Sequence, residues 1–158
     1  MTTHCAHPML RRPPTLARTT AGSILPSTSE LLCALSGQQV RGHVCRWSHE
    51  LVRVHRIRRE RPHDAAVIDC LRTELIANIN AWATEHLPGR PQQNLGDTID
   101  RIAATADRAF HLLMTDDLTG ENMHATWTRL AELSLAYGDL VRQAENGRWC
   151  LSPHSRRR

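Results

Sequence analysis

Between Val40 and Val54 the apolar residues Val40, Val44, Trp47, Leu51 and Val54 fall at spacings of four, three, four and three. That rhythm keeps returning to one side of an α-helix and to neither face of a strand. It recurs down the chain. Ile68, Leu71, Leu75, Ile79 and Trp82 share a face in a segment running from about His63–Asp64 to His86. The next segment, about Leu95 to Met114, carries Ile99, Ile102, Ala103, Ala106, Phe110 and Leu113 on its face. The last, about Glu121 to Glu145, turns Met123, Trp127, Leu130, Tyr137 and Val141 inward, with Gly147 as its expected stop. Upstream, Ser27-Thr28-Ser29-Glu30 has the form of a capping box and opens a short helix through about Leu35, ended by Gly37.

Pro62, the stretch Leu87–Pro91 and the turn Thr115–Asn122 separate these segments, and neither a period of two nor an internal repeat occurs. The expected fold is all-α, a bundle of four to five mostly antiparallel amphipathic helices joined by short connections. Residues 27–153 form the expected domain. Residues 1–26, rich in Thr, Pro and Arg, are expected to be a disordered head or to lie upstream of the native start, and 154–158 a basic tail.

Composition narrows the partners. Among 158 residues, 41% are hydrophobic, yet there is one Phe and one Tyr, so the core must be aliphatic with four Trp as its large members. No apolar run approaches the roughly 20 residues of a membrane span. All 20 basic residues are Arg, a bias that points to a G+C-rich, actinobacterial genome. Six of them lie in the head and tail; the remaining 14 face 16 acidic residues, a net charge of −2. The basicity therefore belongs to the ends and to one cluster, Arg53, Arg56, Arg58, Arg59 and Arg61, which weighs against a nucleic-acid-binding surface. The five Cys are scattered without a C-x-x-C, and Arg11-Arg12 precede Pro13-Pro14 rather than an apolar signal segment, so a reducing cytoplasm is expected.

Several patterns suggest chemistry. Ser48–His55 reads "SHELVRVH", close to the zinc-protease H-E-x-x-H. That motif works because residues four apart stand on one helix face. Here the second His comes six residues on, about 240° around the helix from the first, so His49 and His55 cannot share a metal. Cys45 and His49 have the four-residue spacing, but two ligands are too few for zinc, and His4-Cys5-His7 lies in the head. Asp100, Asp107 and His111 occupy one narrow sector, with Asp107 and His111 four apart; a helix-surface pair accounts for them better than a general base, since no nucleophile can be set against them. Arg72 falls about 40° from Ile68, inside an apolar sector, and needs a partner such as Asp100 or Asp69. The reading is a structural ion pair, with an anion-binding Arg as the sharper alternative. No phosphate loop, G-x-S-x-G or E-x-x-H pair is present. No catalytic residue, metal or cofactor is assigned.

The segments "LPSTSELLCAL", "RWSHELVRVH", "IDCLRTELIANINAWATEHLP", "LGDTIDRIA" and "TRLAELSLAYGDLVRQAENGRWCLSP" resemble, in that order, the actinobacterial family known as domain of unknown function 4254. The likeness runs from about Leu25 to Pro153. It implies a small helical protein and transfers no activity. Asn80 stands where the family usually has Asp, and Gly138 in an acidic position of its Tyr-Asp-Asp. The polar set Arg72, Asp100, Arg101, Tyr137 and Asp139 marks where a site is sought. The expected function is a non-enzymatic protein-interaction or regulatory module, with a homo-oligomer or another protein as partner. The alternatives are a small-molecule binder or enzyme with a pocket around Arg72 and Asp100, and a nucleic-acid binder using the Arg cluster.

Overall fold

The structure, a computed structural model, describes residues 23–87, 94–115 and 120–150, the last three of these by backbone alone. Residues 1–22 of the expected head, the expected tail, the His4-Cys5-His7 group, residues 88–93 and residues 116–119 lie outside the described residues. Residues 23–26, expected to belong to a disordered head, are described, and Leu25 is buried in the core. Five α-helices follow in order: α1 (Thr28–Leu35), α2 (Gly42–Glu60), α3 (Ala65–His86), α4 (Leu95–Met114) and α5 (Glu121–Cys150), with a 3-10 turn at Pro62–Asp64. The fold is an all-α bundle, and no strand occurs among the described residues.

Local chemistry sets most boundaries. Ser27 Oγ accepts from the Glu30 N–H, and the Glu30 carboxylate accepts from the Ser27 N–H, so two otherwise orphaned donors start α1. Gly37, at φ 81°, turns the chain out of it. Pro62 stops α2, because a proline ring cannot follow on inside a helix. Gly147 does not stop α5, which runs through it to Cys150. A helical glycine costs only about 1 kcal/mol relative to alanine, too little to end so long a helix by itself.

Side-chain pairs between helices give their directions. His55 meets Asp100 and Arg59 meets Asp107, so residue numbers rise together and α2 and α4 run parallel. Arg72 meets Asp100 while Asn80 meets Gly96, so α3 runs antiparallel to α4. Helices α2 and α4 form the central layer. Helix α3 packs on both from one side; α1 packs on α2, and α5 packs on α4 and meets α1, from the other. The tightest approach is at Gly96, where a Cβ would stand 2.5 Å from the Ile76 carbonyl oxygen. The missing side chain lets α4 start against α3, and Asn80 Oδ1 accepts the Gly96 N–H at 2.8 Å, satisfying a donor of the helix start.

The core holds Leu31, Leu51, Ile79, Ile99 and Ile102, each fully buried and each worth about 1.5–3 kcal/mol over exposure. It is aliphatic apart from Tyr137, the largest of its fully buried side chains. Three expected core members are surface residues: Trp127 is 41% exposed, Leu71 49% and Leu113 45%. Trp127 and Leu71 sit toward the edges of their apolar sectors, whereas Leu113 lies one residue from the end of α4. Trp47 and Trp82 pack against the core while half-buried. No helix among the described residues is long and apolar enough to cross a membrane.

Candidate functional site

The polar groups gather along the seam between α2 and α4. Asp100 is buried and holds three hydrogen bonds: Oδ1 accepts from His55 Nε2 at 2.8 Å and Arg72 Nε at 2.9 Å, and Oδ2 accepts from Arg72 Nη2 at 2.7 Å. A carboxylate can only accept, so His55 carries its proton on Nε2. Burial pushes the Asp100 carboxyl upward, but the His55 and Arg72 hydrogen bonds and their positive charge outweigh it and hold the group at about 2. Arg72 is correspondingly pushed up by its bond to Asp100. The structural ion pair expected for Arg72 is present. Asp69, the other expected partner, pairs with Arg58 instead.

Two turns along α4, Asp107 accepts a fork from Arg59, whose Nε and Nη2 lie 3.0 to 3.2 Å from its oxygens. Arg59 Nη1 also donates to His111 Nδ1 at 3.1 Å. Arginine has no acceptor, so His111 meets it with a lone pair and carries its proton on Nε2. Asp107 and His111 are thus joined through Arg59 rather than directly. No buried side-chain nitrogen or oxygen among the described residues lacks a partner. A saturated network of this kind fixes the relative placement of helices.

Of the five residues sought as a site, the structure joins Arg72 and Asp100 and separates the other three from them. Tyr137 is wholly buried and donates its hydroxyl to the Pro26 carbonyl at 2.7 Å, tying the segment before α1 to α5. Burial pushes its phenol well above the ordinary range. Asp139 is exposed and pairs with Arg142 on its own helix. Arg101 is exposed and makes no side-chain hydrogen bond among the described residues. His55 escaped the sequence reading as a member of this cluster. Its signal was there: it stands four residues after Leu51, so it shares the apolar sector of α2 just as Arg72 shares that of α3.

The metal patterns resolve into ordinary contacts. Cys45 is buried, and burial raises its thiol. His49 Nδ1 donates to the Ala34 carbonyl at 3.1 Å, and Glu50 accepts from Arg53. No group of three metal-ligating side chains occurs among the described residues. The Arg cluster is largely paired internally: Arg53 with Glu50, Arg58 with Asp69 and Arg59 with Asp107.

Helix α1 has eight residues against the nineteen of α2. Beyond its end the α2–α4 seam continues uncovered, leaving an open cleft of about 630 Å³. Leu35, Val52, Phe110 and Met114 supply its apolar lining, and Arg53, Arg56, Arg59, Glu60 and Asp107 its charges, with His49 and His111 beside them. Neither Arg72 nor Asp100 lines it. The cleft and the Arg72–Asp100 pair are thus separate features of the seam.

No protein-family model, no curated protein and no solved structure matches the chain.

Proposed function

We propose that this protein is a non-enzymatic interaction module that self-associates through the outer face of α5. The carrying observation is a ridge of Trp127, Ala131 and Leu135, at positions i, i+4 and i+8, on the helix face left open by α4 and α1. Leu135 is 71% exposed. The inner face is separately occupied by Leu130, Leu133, Tyr137, Val141 and Ala144. The indole N–H of Trp127 donates to Met123 Sδ at 3.0 Å, so its polar group is satisfied within the helix and the ring is available to pack.

A second copy suits the ridge because the pattern is symmetric about its centre. A two-fold axis beside Ala131 sets Trp127 of each copy against Leu135 of the other, an isologous contact in which both copies use one surface. Alanine at the centre permits close approach, and two such four-residue ridges interdigitate at a crossing angle of about −50°. The saturated Asp100 and Asp107 networks serve architecture in this reading. Membership of the domain-of-unknown-function 4254 family and residence in a reducing cytoplasm, which suits the free Cys33, Cys45 and Cys70, belong to the same proposal.

Sedimentation velocity over a range of concentrations tests the self-association. The full chain should form a concentration-dependent dimer, and Leu135→Glu should sediment as a monomer with unchanged circular dichroism. A wild-type chain that stays monomeric at all concentrations, or a Leu135→Glu chain that dimerises equally well, would overturn it.

A further inference from the structure

The open cleft beyond α1 contains an arginine that pairs with Asp107 by charge alone and makes no hydrogen bond among the described residues. Arg59 already occupies both carboxylate oxygens of Asp107. Arg56, projecting from the same helix, lies 3.7 Å from that carboxylate, beyond hydrogen-bond reach, and its side chain is 51% exposed. It makes no side-chain hydrogen bond among the described residues. Arg58 and Arg59 belong to the last turn of α2, where cations complement the helix dipole, but that effect falls off within one turn and Arg56 precedes it. Arg56 is therefore a half-exposed guanidinium in a mixed polar and apolar cleft, and its donors make no hydrogen bond among the described residues. The lining carries three Arg against Glu60 and Asp107, a net charge of +1.

His111 adds a second donor. Its Nδ1 accepts from Arg59, and the Nε2–H of the ring in the same wall has no acceptor among the described residues. Beside these groups Phe110 and Met114 present apolar surface. The volume of about 630 Å³ falls within the ~300–1,000 Å³ usual for small-molecule sites.

The geometry points to a binding site for a small amphipathic anion, a carboxylate or phosphate on a compact apolar body. The anionic head engages Arg56 and the His111 Nε2–H, and the body packs on Phe110 and Met114. Arg suits this role because its planar fork matches two oxygens of a carboxylate or phosphate at once. The site is independent of the α5 ridge.

The test uses the full chain and the fluorescent probe anilinonaphthalene sulfonate, an anion on an aromatic body, beside its uncharged analogue phenylnaphthylamine. Wild type should bind the anionic probe in a saturable, single-site manner and the neutral one at least tenfold more weakly. Octanoate and octyl phosphate should displace the probe, their ranking identifying the preferred head, while octanol should not. Arg56→Gln should weaken probe binding about tenfold, a single charge-assisted hydrogen bond's worth, with unchanged circular dichroism. Leu135→Glu should bind as wild type. Equal binding of the charged and neutral probes, full affinity in Arg56→Gln, or loss in Leu135→Glu would each overturn the assignment.

Discussion

Replacing Asp100 with Asn tests whether the seam network holds the bundle together. The amide keeps the shape but directs an N–H₂ group at donors, so one oxygen must serve both His55 and Arg72. Breaking a fully buried ion pair costs about 3–5 kcal/mol. Asp100 is buried, but the Arg72 side chain is 38% exposed and can rehydrate, which brings the expected loss to about 2–3 kcal/mol. The carboxyl itself gives a second measure of the same quantity. It falls from 3.8 to about 2 on folding, a shift worth about 2 kcal/mol. Because the folded value is depressed, this stabilisation is complete above the unfolded pKa and is lost as pH falls through the folded one. By pH 3 roughly half of it is gone. Urea unfolding followed by circular dichroism at pH 6 and pH 3 reads both effects. Asp100→Asn should be about 2–3 kcal/mol less stable than wild type at pH 6, with the gap narrowed by about 1 kcal/mol at pH 3. A deficit below about 0.5 kcal/mol, or one that does not change with pH, would refute the reasoning.

Gly96→Ala places a methyl group 2.5 Å from the Ile76 carbonyl oxygen, so α3 and α4 must separate; a loss of at least about 2 kcal/mol is expected in the same urea assay, as for overpacked cores. Tyr137→Phe removes the hydroxyl that donates to the Pro26 carbonyl and should cost about 1–2 kcal/mol, with faster amide exchange at the start of α1.

How legible this was in the sequence depended on whether a property is local. The helices could be read because periodicity, the Ser27–Glu30 capping box and Pro62 act within a few residues. The end of α5 could not, because Gly147 permits a helix as well as ending one. Arg72 and Asp100 could be paired because each interrupts an apolar sector, and a buried charge demands a counter-charge. His55 obeys the same logic but was weighed only as a metal ligand. Tyr137 and Asp139 share with the pair only their polarity and their place in the segments that resemble the family. Yet two residues apart on a helix is about 200°, so one faces the core and the other faces water. The cleft has no local signature, since it arises from the length of α1 against α2 and from the parallel run of α2 and α4.

The self-association is tested most directly by a cysteine at Ala131, in a chain whose Cys5, Cys33, Cys70 and Cys150 are replaced by Ser while buried Cys45 is kept. The proposed two-fold axis sets residue 131 beside its own copy, within disulfide reach. Mild oxidation should convert Ala131→Cys largely to a disulfide-linked dimer, while Ala77→Cys, exposed on α3, should remain monomeric on a non-reducing gel. Linkage at residue 77 equal to that at 131, or none at 131, would contradict the account.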